Sequence, residues 1–487
     1  ATLRRGATRR WQRRPLAAAA VAAWLCSVVL VPLALDFVQW RAPSSDAGRS
    51  SFAGAADPAL RRLLSGPSSQ PTWHTSAASA AQEGAKGETP AGAMSLNLAK
   101  NLVGSGILSL PSGVAAFSAS AGALGPAMAL LVVAALVSAY SFYLIGRVCQ
   151  STGTSTFGTA WRDTLKKGSW VPLLVCILEC LGGSVVYAMV LGDVFSPMLP
   201  VARSATIVGI AATVLFPLCC LRSFGALSKF SALGTAATTY VVLFVMKRFF
   251  DGSYAPGGAF YNPAIHPVLD TAGYVAFDSR MLILVSILST AFLVHFNAPQ
   301  MYSELSPGTG GSAEEAAASK QRNFGMVAVI GFGIAAAQYA LIMAFGFLTF
   351  GSATEGNLLL NYNIKDPLAT AARVAIGIST LFGYPMQFAG LRSGCLEAFG
   401  MAELPKVKHR VLTAAMLVGI VAIACAFRDL GKFQALEGAA LASFLIYVAP
   451  PLMAMCIWKG KVAKVRYVSL AVLGVALGIV GCRVTML

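Results

Sequence analysis

The sequence predicts an all-helical protein that crosses a membrane many times, and three observations predict it. Hydrophobic residues make up 56% of the 487 and charged residues only 12%, about half the roughly 25% of ordinary globular chains. Mean hydropathy is +0.68. Apolar runs near the ~20 residues that a bilayer helix needs recur along most of the length. They are continuous rather than alternating, which excludes a β-barrel.

Eleven such runs fall at 94–117, 122–146, 171–199, 205–221, 227–249, 281–302, 324–350, 368–391, 411–427, 436–458 and 468–484. The connections are short except 251–280, 303–323 and 351–366, so no separate soluble domain is expected. The formal net charge of +17 does not call for a nucleic acid. The loops after even-numbered runs carry about twice as many Lys and Arg as the others, as the positive-inside rule requires. Arg147, Arg162, Lys166 and Lys167 form one cluster; Lys406, Lys408 and Arg410 a second; Lys459, Lys461, Lys464 and Arg466 a third. The first run therefore starts on the cytoplasmic side or its equivalent. The ten cysteines lie almost wholly in apolar runs. None has zinc-site spacing, so neither a metal nor a cofactor is expected.

Residues 1–93 form an extension with a different composition. Arg4, Arg5, Arg9, Arg10, Arg13 and Arg14 precede an apolar segment at 16–37, and 41–93 is rich in Ser, Ala, Gly and Pro. A basic head and apolar core resemble a secretory signal, and the tail resembles a plastid transit peptide. Together they look like the bipartite leaders of algae with complex plastids. If 16–37 were a retained span, the first run would start on the wrong side for the loop charges; a removed leader avoids that conflict. The expected location is a plastid membrane, or otherwise an endomembrane or the plasma membrane.

The first run of the body opens with NLAKNLVGSGILSLPSG, residues 97–113. Gly104, Ser105, Gly106 and Pro111 suit an unbroken membrane helix badly, and such residues are tolerated where freed backbone groups line a cavity. A close-packing patch of small residues is the other reading of this stretch. The sixth run is interrupted too, by His295, Asn297 and Pro299. Two broken helices five apart mark inverted five-helix repeats, with the binding site where both unwind. Repeats are expected over 94–250 and 281–458, separated by a non-cytoplasmic loop at 251–280, with 459–487 as an eleventh helix and C-terminus.

These residues also carry a family resemblance. Gly104-Ser105-Gly106-Ile107-Leu108 with Pro111 resembles the first-helix signature of the amino acid/auxin permease family. GSVVYAMVLGD (183–193) is similar to its third helix, HFNAPQMYSEL (295–305) to its sixth, and FLTFG (347–351) to the end of its seventh. Residues 385–392 and 438–451 match weaker patterns in its eighth and tenth. The resemblance implies a LeuT-like five-plus-five fold and secondary transport of amino acids or related small molecules, with protons or sodium as driving ion. It places substrate against Gly104, Ser105, Gly106 and Ile107, near Phe296 and Asn297, with Tyr187 close by.

Two departures favour the proton-coupled branch. Lys100 stands where sodium-coupled members usually carry an asparagine, and its ammonium would occupy the cation's place. The eighth-helix hydroxyl expected two residues before Pro385 is replaced by Gly383, with Ser379 and Thr380 out of phase. The alternative for Lys100 is snorkelling to the interface. His295, with an unperturbed pKa near ~6.5, suits a proton-linked role or a structural hydrogen bond. Glu179 is a second proton candidate and a partner for Lys100. Asp193 reads as interfacial, and Glu437 and Arg392 as solvated helix-end residues. Besides transport, the same fold allows an amino-acid sensor with 41–93 as its arm. An enzyme is not expected, because His295 has no second catalytic group at motif spacing.

Overall fold

The computed structural model describes residues 87, 89–221, 231–263, 269, 278–307, 312–401 and 404–487. The expected leader and its segment 16–37 lie almost wholly outside the described residues, as does much of the loop 251–280. Among the described residues the chain is helical, with one isolated parallel bridge between Thr89 and Leu305.

In chain order the helices are α1 (Ala91–Leu102), α2 (Leu110–Ala115), α3 (Leu124–Thr152), α4 (Phe157–Leu165), α5 (Trp170–Phe195), α6 (Arg203–Ile210), α7 (Phe216–Cys219) and α8 (Ser231–Phe250). Then follow α9 (Met281–Ala291), α10 (Ala298–Glu304), α11 (Ala313–Phe350), α12 (Pro367–Ala398), α13 (Lys406–Ala426), α14 (Leu430–Glu437), α15 (Ala449–Ile457) and α16 (Lys461–Met486). Among the described residues, eight helical stretches are long and apolar enough to cross a membrane. They coincide with the second, third and sixth to eleventh apolar runs. The first run is divided into α1 and α2, the fourth is Arg203–Cys219, and the fifth is α8.

Polar residues lengthen several helices past their apolar runs. α11 begins well before residue 324 because Ser312 and Glu315 form a capping box, which satisfies two otherwise orphaned N–H groups. It stops at Gly351, whose φ of +54° is open to glycine and costly for other residues. α14 starts at Leu430 because the Asp429 side chain accepts from the Lys432 N–H, so the tenth run gains a polar first turn. α4 lies in a connection; Phe157, Ala160 and Trp161 share its buried face, at the i, i+3, i+4 spacing of an amphipathic helix.

Each broken span has the same construction. α1 ends at Leu102, Val103 and Gly104 leave helical geometry, and a tight 3-10 stretch Ser105–Ser109 leads into α2. α9 ends at Ala291, Val294 is non-helical, and a 3-10 turn His295–Asn297 leads into α10. Pro111 and Pro299 each fall in the first turn of the helix that follows, where proline's missing N–H costs no hydrogen bond.

Spans five apart pack on one another: α5 along α12, α3 along α11, α6 and α7 against α13, and α2 against α9. This pairing is what a pseudo-two-fold relation between inverted repeats produces. α8 lies against α11 and α12, while α16 covers α15, α9 and the two π-helical stretches that follow α14, Gly438–Ala442 and Phe444–Val448.

The connection between α11 and α12 is clasped to the helices around it. Arg248 of α8 donates from Nε and Nη2 to Asp366, at 2.9 and 2.6 Å, and the Tyr254 hydroxyl adds a third bond at 3.0 Å. Asn357 donates to Asp193, which also pairs with Arg203 at 2.6 Å. Asp193 is buried in this ion pair, in the last turn of α5. Beside the Arg248 clasp, Asp251 feels an opposing effect of burial, but bonds from Ser253, Lys247 and Arg248 hold its carboxyl below the usual range.

Candidate functional site

The breaks in the first and sixth spans open onto one cavity of about 380 Å³, within the ~300–1,000 Å³ of small-molecule sites. Lys100, Gly104 and Gly106 line it from the first span, Glu179 and Tyr187 from α5, Phe296 and Asn297 from the sixth span, and Ser379, Thr380 and Gly383 from α12. Residues distant in sequence meet because the two repeats pack back to back. Gly104 borders open space, with no heavy atom within 4 Å of where a Cβ would stand. A helix start leaves N–H groups without intrahelical acceptors, so the paired breaks present peptide groups beside the cavity. Ser105 lies in the chain between two lining glycines. Tyr187 lies against Gly383, its Cε2 3.4 Å from a Cβ built there.

Ile107 and His295 are placed elsewhere. Ile107 is fully buried and outside the cavity lining. His295 is fully buried against α3, with Nε2 2.8 Å from Ser141 Oγ and 3.0 Å from the Ser138 carbonyl oxygen. A carbonyl only accepts, so Nε2 carries the proton. Phe142 packs edge-on to the ring at 5.9 Å. The physical reason is register: the 3-10 turn exposes Phe296 and Asn297 to the cavity and turns their neighbour into the protein.

The tenth span supplies what sequence reasoning passed over. Gln434 and Glu437 both line the cavity. Gln434 bonds to the Ser109 hydroxyl, and its backbone carbonyl accepts from Thr290 at 2.8 Å, so one residue joins both broken spans. Glu437 is 6% exposed, a correction to its reading as a solvated helix-end group. Arg392 is corrected likewise: it is buried, donates to the Cys219 carbonyl at 2.8 Å and lies over the Phe388 ring. The signal for Gln434 and Glu437 was present in their i, i+3 spacing, which puts both on one helix face. Counting apolar runs hid it, because the tenth run began at 436. Gln387 of α12 and Gln300 of α10 complete the polar lining.

Lys100 sits in the last turn of α1, where a cation complements the helix dipole. Among the described residues no ion pair joins it to Glu179.

A family model described as "Transmembrane amino acid transporter protein" matches residues 88–487. The chain is 26% identical over 382 residues to a Danio rerio protein named "Putative sodium-coupled neutral amino acid transporter 11", covering 75% of this chain and 79% of that one. It is 24% identical over 370 residues to vacuolar amino acid transporter 5 of Schizosaccharomyces pombe, covering 73% and 81%. Among solved structures, the inward-facing conformation of Mhp1 superposes with a TM-score of 0.54 at 12% identity, over 82% of this chain and 91% of that one. At that identity the likeness is one of fold alone, and it agrees with the LeuT-like architecture that the two broken spans imply. Both sequence relatives are named as amino acid transporters. With a family match that runs from just before α1 to the last residue, this chain belongs to the transmembrane amino acid transporter family.

Proposed function

We propose that this protein is a secondary active transporter that carries amino acids, or closely related zwitterions, by alternating access, driven by protons and independent of sodium. One observation carries the reading: both helix breaks face a single cavity that also contains Lys100. The peptide groups at Gly104–Gly106 and at Phe296–Asn297 suit the charged ends of a zwitterion, and Tyr187 and the polar side chains of α12 line the remaining wall. The Lys100 ammonium provides a fixed positive charge near the end of α1, which disfavours a second cation there. That supports proton rather than sodium coupling, although relatives from several vertebrates bear a sodium-coupled name.

The test is uptake of labelled amino acids into proteoliposomes, with a pH gradient and a sodium gradient imposed separately. Accumulation driven by sodium alone would end the coupling reading; no exchange of any amino acid would end the transport reading. The sensing alternative has one feature in its favour. Thr89, near the end of the extension, exchanges backbone bonds with Glu304 and Ser306 at the end of the sixth span, a tie that would report movement there. Robust counterflow of labelled amino acid argues for transport. The leader composition of 1–93 supports a plastid membrane; a fluorescent fusion of that segment retained in the secretory pathway would exclude it.

A further inference from the structure

Two buried carboxyls stand on helices of the cavity wall, α5 and α14, that pack on one another. Glu179 of α5 is 8% exposed and Glu437 of α14 is 6% exposed, and both line the cavity. Gly182 lies one turn beyond Glu179 on the same face of α5. Glu437 Oε1 closes over Gly182, in the space that a side chain at that position would need. Neither Glu179 Oε2 nor Glu437 Oε1 has a hydrogen-bond partner. Among the described residues, no Lys or Arg stands within ion-pair distance of either carboxyl. Of the other titratable groups nearby, Cys176 and Cys180 share α5 with Glu179, Cys395 and Glu397 of α12 lie by those cysteines, and Tyr187 of α5 and Lys100 of α1 line the same cavity.

Two carboxylates one helical turn apart along the α5–α14 contact, with no counter-ion beside them in a low-dielectric wall, repel, and a shared proton removes the repulsion. Unpaired oxygens also leave room for that proton to bridge the two groups. We propose that Glu179 and Glu437 bind one proton between them and that this proton is the coupling ion of the transport cycle. The inference rests on the transport reading above and names the groups that would carry its proton.

The link to substrate is mechanical and short. Gln434, one turn before Glu437 on α14, is bonded to Ser109 and to Thr290. An ideal Cβ at Gly106 would stand 3.4 Å from its Nε2. Substrate settling on the peptide groups at the breaks shifts the position of α14, and with it the spacing of the two carboxyls. Close carboxyls hold the proton and separated carboxyls release it. By linkage, the proton then strengthens substrate binding by the factor by which substrate strengthens proton binding.

The test uses the full chain in proteoliposomes, an equimolar mixture of radiolabelled proteinogenic amino acids and a trapped pH-sensitive dye. For one proton per substrate, an inward proton gradient of two pH units allows accumulation up to about 100-fold. Glu179→Gln or Glu437→Gln is expected to bring accumulation to about 1-fold and to abolish substrate-driven acidification, while counterflow exchange persists. Gradient-driven accumulation that survives in both variants overturns this inference and leaves the transport reading standing. A wild-type protein that exchanges nothing, or accumulates only with sodium, overturns both. Because a variant can fail to fold, wild-type protein is also treated with a carbodiimide that reacts with protonated carboxyls. An adduct on Glu179 or Glu437 that blocks acidification is expected. Unmodified Glu179 and Glu437 in protein whose proton-driven uptake has been blocked overturns the assignment.

Discussion

Leu102 and Ala291, the last helical residues before the two breaks, share one donor. The Tyr339 hydroxyl stands 2.7 Å from the Leu102 carbonyl oxygen and 2.8 Å from that of Ala291. Tyr339 is 1% exposed on α11, the long helix packed against α1 and α2. A broken helix frees carbonyls that have no water to turn to in a membrane. Here one hydroxyl proton is shared between a carbonyl from each repeat and ties the two breaks together. Tyr339→Phe leaves both buried carbonyls short of a partner. It is expected to lower stability by about 1–3 kcal/mol and to reduce uptake. Unchanged thermal unfolding of purified Y339F protein would show that the hydroxyl does not hold the breaks.

Two glycines of the first span separate a binding role from a packing role. At Gly104 a methyl enters open space, so Gly104→Ala is expected to fold within about 0.5 kcal/mol of wild type while narrowing the cavity and slowing uptake. At Gly113 a Cβ would stand 3.2 Å from the Leu284 Cα, where α2 meets α9. Gly113→Ala is expected to cost about 1–3 kcal/mol through overpacking. If the two variants change uptake and melting in the same proportion, the distinction is wrong.

Lys100 is the side chain proposed to exclude sodium. Replacing it with asparagine removes the fixed ammonium and returns oxygen ligands to the end of α1. Lys100→Asn is expected to weaken pH-driven accumulation and to introduce stimulation by sodium. Uptake with wild-type pH and sodium dependence would refute the role given to this side chain.

The outer clasp is expected to be structural. Asp366 is fully buried and its carboxylate accepts four bonds, two from Arg248, one from Tyr254 and one from the Leu368 N–H. Removing one partner of a buried pair strands the other, so Asp366→Ala is expected to cost about 3–5 kcal/mol. Asp251, which also accepts from Arg248 at 2.8 Å, has its folded-state carboxyl pulled below the usual range. A depressed carboxyl contributes stability above its unfolded pKa of about 3.9 and loses it as pH falls through the lower folded value. The Asp251 contribution is therefore constant across the mildly acidic range of a transport assay. Melting of wild-type protein that falls steeply between about pH 7 and pH 5, and no longer does so in Asp251→Asn, would contradict this.

His295 is expected to hold α3 and the sixth span together. His295→Leu leaves the Ser141 hydroxyl and the Ser138 carbonyl without their ring partner, at a cost of about 1–3 kcal/mol. Proton-driven accumulation per folded molecule is expected to match wild type. Loss of acidification with counterflow intact would instead put His295 on the proton path.

Much of this protein was legible in its sequence because a bilayer leaves few choices. Eleven apolar runs dictated helices, and glycine and proline at 104–111 and 295–299 dictated where two of them break, since freed peptide groups need a cavity or a partner. Lys100, Gly104, Glu179, Tyr187, Asn297 and Thr380 all line one cavity, in the spans where the sequence put them. Which side of each helix faces that cavity was decided only by tertiary packing. A one-residue step turns a side chain by about 120° in a 3-10 turn, so Phe296 faces the site while His295 faces Ser141. The contacts that Gln434 and Tyr339 make with both broken spans came only from the repeats closing on each other. Their partners Ser109, Thr290, Leu102 and Ala291 lie in other spans, and no local pattern records a contact made between distant stretches of chain.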